Sequence, residues 1–277
     1  AALAARAAAE QLPACFRDPR AIGLRRQLQA QLLRLADRND EALLLLQALH
    51  EQAEKRPAID AFHTVVTLGI VHGMQDRMDD SLGCFYAALD LARRIGSLPP
   101  VVNALNNLGA QQLDLHNLDD ALPTLRECLA GALALGSRRL RIFAAGNLVQ
   151  CLCALGQAGP ALALAREHLI DVIRPDDPPS LQRDEEIAHA LLDNGLDAEA
   201  AGYLRREVCH DVLTNPTTAV RAWLDARLLL REGRDREALA LCLAQQHLLD
   251  DDSVVPADRL RLSEFAAELA ARCDEHR

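Results

Sequence analysis

Residues 105–125 read LNNLGAQQLDLHNLDDALPTL, and the two near-copies that flank them decide how the chain folds. Forty residues earlier stands VVTLGIVHGMQDRMDDSLGCF (65–85), and forty later AGNLVQCLCALGQAGPALALA (145–165). The three align without gaps: Leu68, Leu108 and Leu148 coincide, as do Ser81, Ala121 and Ala161. Self-similarity at a fixed period of about 20–50 residues marks a repeat architecture, in which each unit buries its apolar face only by stacking on its neighbours. Within each copy a helical apolar pattern, a turn such as DRMDD or HNLDD and a second helical run predict two helices of about four turns each. The small residue after the turn lets the second helix approach the first closely. Gly96-Ser97 and Gly136-Ser137 mark the same point between units, with Gly suited to a helix C-terminus and Ser to the cap of the next helix.

Composition agrees with an all-helical chain. Half of the 277 residues are apolar, mostly Ala and Leu, while aromatics make up only 3% and alternating runs of strand formers are nearly absent. A net charge of −10 argues against nucleic-acid binding through phosphate neutralisation, which wants a concentrated basic face, and disfavours membrane surfaces for the same reason. No apolar run approaches the roughly 20 residues of a membrane span, and AALAARAAAEQLPACF lacks the basic start and apolar core of a signal peptide. A cytoplasmic protein is the expectation. The single lysine, Lys55, among 30 basic residues suggests a GC-rich, bacterial genome.

Weaker units flank the three clear ones. RNDEALLLLQAL (38–49) and GLDAEAAGYLRREV (195–208) read as second helices, and AVRAWLDARLLLREGRDREALALCLAQQHLL (219–249) as a further hairpin. The expected division is one solenoid over 1–277: a leading helix 1–18, repeats one to four over 20–174, a Pro-rich break at 175–180, repeats five and six over 181–250, and a closing helix 257–277. The break, within RPDDPPS, should stop a helix at or before Arg174 and is either a hinge or a rigid loop. The closing helix reads as the first half of a truncated repeat, which implies a fragment of a longer chain, or as a cap.

The pattern resembles the tetratricopeptide repeat, whose signature places W-x2-L-G-x2-Y and then A-x3-F on a helix-turn-helix unit. The matching residues are Val65, Leu68, Gly69, His72, Ser81 and Phe85 in one unit, and Leu105, Leu108, Gly109, Gln112, Ala121 and Leu125 in the next. Aliphatics replace most of the aromatic positions. The period exceeds the usual 34 or so residues, so the resemblance is to the longer-helix subclass of kinesin light chains and many bacterial regulators. It implies an all-α, right-handed tetratricopeptide-repeat α-solenoid of about six helical hairpins plus terminal helices.

Catalytic and metal-binding signatures are missing from the sequence. Lys55 is flanked by Glu54 and Arg56, which excludes a P-loop, and no G-x-G-x-x-G, H-E-x-x-H or G-x-S-x-G occurs. His63 and His72, nine apart, fall on opposite sides of a helix. Eight cysteines in 277 residues lack the density of a disulfide scaffold, and Cys128, Cys151 and Cys242 sit in apolar helical pattern as small core residues. Cys151 and Cys153 point apart on a helix, and no second pair follows at zinc-site spacing. Asp119, Asp120 and Asp250 to Asp252 fall at turns and helix starts, where they favour the positive helix end. The segment is therefore expected to be no enzyme, with no cofactor, no catalytic residue and no metal.

The resemblance places the first helices on a concave surface used for binding. In that family the residue before Leu-Gly faces the groove and is often an asparagine that holds the backbone of a bound chain; here it is Thr67, Asn107 and Asn147. An amide side chain carries both donor and acceptor, so it can bond a peptide unit at both ends. His63 and Asn103 precede by four residues, Asn106 shares the face with Asn103 and Asn107, and Gln150 follows Asn147 by three. These seven residues form the expected peptide groove. The alternative, that Asn107 and Asn147 tie neighbouring helices together or face water, stays open. With no lysine or arginine over 61–75 and 101–114, a clamp for a terminal carboxylate is not expected there, and the ligand should be a neutral or mixed peptide, or a partner helix.

The texture is similar to arrays that precede diguanylate cyclase domains and to those of transcription activators. That implies a sensory or regulatory segment of a bacterial signalling protein. The alternatives are a free-standing adaptor and a self-associating domain, a homodimer through Trp223 or the Ala-rich N-terminal helix.

Overall fold

The computed structural model describes residues 19–172, 180–206, 219–245, 247 and 256–275. The expected leading helix 1–18, nearly all of the Pro-rich break and Asp250 to Asp252 lie outside them. Thirteen α-helices and no strand occur among the described residues. They pair as hairpins: α1 (Pro19–Leu35) with α2 (Asn39–His50), α3 (Ala58–Met74) with α4 (Met78–Ile95), α5 (Leu98–Asp114) with α6 (Leu118–Ala134), and α7 (Arg138–Ala154) with α8 (Ala158–Ala165). A π-helical turn, Arg166–Ile170, extends α8. Two more pairs follow, α9 (Leu181–Asp193) with α10 (Asp197–Leu204) and α11 (Ala219–Arg231) with α12 (Asp235–Ala244), and α13 (Pro256–Glu275) packs on both members of the last pair.

The turn inside every hairpin is the same device. A residue with positive φ stands at Asp37, Asp76, His116, Gly156, Gly195 and Gly233, one per hairpin. In each, the amide of the next residue reaches back five positions, as Arg77 N does to His72 O and Gln157 N to Leu152 O, which satisfies a carbonyl that the helix end leaves open. Three hairpins use Gly for this left-handed residue, two use Asp and one uses His, each of which bears a Cβ that Gly lacks.

The approach of the two helices is set by paired sizes. A Cβ on Gly69 would come within 2.7 Å of the Phe85 ring, and one on Gly109 would overlap the Leu125 side chain. Forty residues on, the first member grows to Val149 while the second shrinks to Ala165, and both are fully buried. The volume is conserved across the pair while its owner changes. Ser81, Ala121 and Ala161, the small residues after the turn, are all fully buried as well.

Between repeats, Gly96 and Gly136 take positive φ as their position requires. Ser137 Oγ then accepts the Leu140 amide at 3.4 Å, but Ser97 makes no such cap. The reason is local: the amides that a cap would bind belong to the second and third residues of α5, which are Pro99 and Pro100 and carry no N–H. Cys128, Cys151 and Cys242 lie in the apolar core as expected, which runs unbroken from Phe62 to Leu224 and continues at the C-terminal end around Ala222, Leu262 and Leu269.

Candidate functional site

The first helices carry two hollows. The first, of about 430 Å³, is lined by Ile70 and Met74 of α3, Asn107, Ala110 and Asp114 of α5, and the turn residues Asp37 and Asp76. Its rim is acidic and its floor apolar.

The expected amide strip falls mostly on this stretch, with differing surroundings. Asn107 lines the hollow and donates from Nδ2 to the Asn103 carbonyl at 2.8 Å, one turn back, which leaves its side-chain oxygen directed elsewhere. Asn103 and His63 are exposed, and Asn106 and Gln150 are half-buried. Asn147, only 7% exposed, donates to Asn106 Oδ1 at 3.2 Å and so joins α7 to α5. Thr67 is 4% exposed and committed internally: it accepts from Gln27 Nε2 at 2.9 Å and donates to the His63 carbonyl at 2.8 Å. Gln27 also accepts from Thr64, so the polar group that stands in the asparagine register here clips α1 to α3. His72 is buried, opposite to exposed His63, as nine-residue spacing on a helix requires.

The second hollow, of about 570 Å³, brings together His116 of the α5–α6 turn, Cys153 of α7, His189 and Asp193 of α9, Trp223, Arg227 and Arg231 of α11, and Arg261 and Phe265 of α13. Two guanidinium groups lie over the Trp223 ring, Arg227 at 4.5 Å and Arg261 at 5.0 Å from its centre. The His189 ring meets its edge at 4.8 Å, nearly perpendicular. Each arginine carries a carboxylate: Arg227 Nη2 bonds Asp193 Oδ1 at 2.7 Å, Arg231 pairs with Asp197 at 3.1 Å and Arg261 with Asp258 at 3.2 Å. Arg227 Nη1 is buried with no hydrogen-bond partner among the described residues.

Burial dominates the titration here. It pulls the His189 imidazole down to about 4 against the opposing pull of Asp193, and it pushes the Cys153 thiol up, with the Asp193 charge adding to the effect. Asp114, on the rim of the first hollow, is pushed up to about 6 by burial and then by the charge of Asp258 of α13. Glu186 of α9 lies against Gly146 of α7, whose missing side chain makes room for it, and burial raises its carboxyl to about 8.

Sequence reasoning assigned no role to this second hollow, where Trp223 figured only as a dimer contact. The available signals were short: His189 and Asp193 one helical turn apart, and Trp223 one turn before Arg227. What brings them together is a repeat interval of 34 residues from Asp193 to Arg227 and 38 from Trp223 to Arg261, away from the 40 that aligned the earlier units.

A family model described as "Tetratricopeptide repeat" matches residues 60–134. Among solved structures, NprR in complex with its cognate peptide NprX aligns over 94% of this chain and 78% of its own at 15% identity, TM-score 0.63. The Rap conjugation gene regulator of plasmid pLS20, in complex with the Phr* peptide, aligns over 91% and 75% at 17% identity, TM-score 0.59. A kinesin light chain with nearly identical repeats from Podosopora anserina covers 68% of this chain and 94% of its own at 16% identity, TM-score 0.57. No curated protein sequence matches the chain. Identities this low speak to the fold, and the fold is the stacked helical hairpin. No described helix is long and apolar enough to cross a membrane.

Proposed function

We propose that this chain, whose residues 60–134 match the tetratricopeptide-repeat family and whose fold is that of solved tetratricopeptide-repeat structures, binds a segment of another protein in extended form along its concave wall and catalyses nothing itself. The observation that carries the reading is the pair of hollows lined largely by first helices. One offers the Asn107 amide over an apolar floor with an acidic rim, the other offers Trp223 flanked by arginines. Such a wall suits a peptide of mixed charge, with its basic part toward Asp37, Asp76 and Asp114 and its acidic or aromatic part toward Arg227, Arg231 and Arg261. The non-catalytic part of the reading is supported by the state of Cys153 and His189, a protonated thiol beside a neutral imidazole, which is not an activated nucleophile.

Within that reading the array is the sensory or regulatory segment of a bacterial, cytoplasmic signalling protein, such as a diguanylate cyclase or a transcription activator. Two proteins of the same fold are peptide complexes, and one of them is a gene regulator, which supports a peptide as the signal.

The experiment is calorimetry with a peptide selected from a random displayed library on the wild-type chain. The double variant Asn107→Ala with Asn147→Ala should lose about tenfold in affinity, roughly 1.4 kcal/mol. Unchanged affinity would remove the amide strip from the binding surface.

A further inference from the structure

Cys153, His189 and Asp193 stand in the last turn of α7 and on one face of α9, and one ligand atom from each lies within 4.8 Å of the other two. The thiol and the imidazole are both buried, with 7% and 8% of their residues exposed. Sequence spacing joins only His189 and Asp193, one turn apart on α9; Cys153 comes from the repeat before.

The carboxylate of Asp193 is divided between two tasks. Oδ1 is held by Arg227 at 2.7 Å, while Oδ2 lies 3.4 Å from His189 Nε2. That second separation is long for a good N–H···O bond. It is the spacing of two ligands on one ion: oxygen and nitrogen each about 2.0–2.1 Å from a tetrahedral zinc stand roughly 3.4 Å apart, and thiolate sulfur about 3.5 Å from either. The Cys153 sulfur lies within 4.8 Å of the same carboxylate. Arg227 then fixes the carboxylate as an outer partner, the arrangement that orients ligands in metal sites. The two guanidinium groups nearby do not stand as bare charges against an ion, since Arg227 is paired with Asp193 and Arg261 with Asp258.

From this geometry we infer that Cys153, His189 and Asp193 form a binding site for one borderline-soft divalent cation, of which zinc is the representative. One thiolate, one imidazole and one carboxylate are a donor set that zinc accepts, and magnesium or calcium, which want oxygen throughout, do not. All three donors line the second hollow, so the fourth position is open to water or to an oxygen of a bound chain. The ion would join the first helices of the fourth and fifth repeats. This site stands independently of the peptide-binding reading.

Cobalt(II) is the probe. Titrated into the chelator-treated full chain, it should give a thiolate-to-cobalt charge-transfer band that saturates at one ion per chain and that zinc displaces. Cys153→Ala should abolish the band, and His189→Gln should weaken cobalt affinity at least tenfold, while Cys151→Ala, two residues away and also buried, should leave both unchanged. Circular dichroism on each variant confirms that it remains helical. A wild-type chain with no such band at excess cobalt would overturn the site, and so would a band that survives Cys153→Ala.

Discussion

The hairpins from α3 to α8 and those from α9 to α13 share one backbone plan but present opposite chemistries to the hollow. In the first stretch the wall is amide and aliphatic with carboxylates on the rim; in the second it is arginine, tryptophan and histidine, each arginine matched by a carboxylate, with Cys153 of α7 at the border. The difference teaches where the freedom of the fold lies. Positions between the two helices of a hairpin obey a size rule, as Gly69 with Phe85, Gly109 with Leu125 and Val149 with Ala165 do. Positions on the first helix that face the hollow owe nothing to that rule, so they can hold an amide in one repeat and a stacked guanidinium in the next.

The largest effects should appear where packing or pairing is tight. Asp193→Ala strips Arg227 of its carboxylate while Nη1 already lacks a partner, and should cost about 3 kcal/mol in urea unfolding. Asn107→Ala, in the amide stretch, should cost under about 0.5 kcal/mol, because its bond is local and half-exposed. Equal losses at the two sites would erase the contrast between the stretches. The size rule has its own test. Gly109→Val should destabilise by about 2–3 kcal/mol through overlap with Leu125, and adding Leu125→Ala, which copies the Val149 and Ala165 arrangement, should return most of it.

A pH-dependent effect comes next. Glu186 has a folded pKa of about 8 against an ordinary 4.5, so the folded chain binds more protons in that window and this group costs stability as pH rises through it. Glu186→Gln should therefore be more stable than wild type by about 1–3 kcal/mol at pH 9 and indistinguishable near pH 4, as read by thermal melts across pH. A constant difference at all pH values would place the carboxyl in water. The smallest effect is at the turn: His116→Gly should gain about 0.5–1 kcal/mol by relieving a left-handed residue that the other hairpins give to Gly or Asp.

Much of the fold was legible because the period was. The ungapped copies fixed hairpin length, the small residue at Ser81, Ala121 and Ala161, and the Gly at the turns. Ser97 looked like Ser137 yet makes no cap, a failure also written in the sequence, since Pro99 and Pro100 remove the amides it would bind. Asp37, Asp76 and His116 could not be read as left-handed, because only their alignment with Gly156 shows the requirement. For the candidate site, the asparagine register leads to Asn107 at the first hollow, while Thr67 is spent on Gln27, from a repeat too divergent to align, and Asn147 on Asn106. The second hollow was hidden because its residues meet only after four first helices are stacked at uneven intervals.

The central claim is that the concave wall is the binding surface and that both hollows take part. Site-specific photo-crosslinking tests it most directly, with the crosslinker placed at Ala110 in the first hollow, at Ala154 in the second, and at Leu133, exposed on the second helix α6. A library-selected peptide should be captured from Ala110 and Ala154 and not from Leu133. Capture from Leu133 with none at the other two positions would contradict the account.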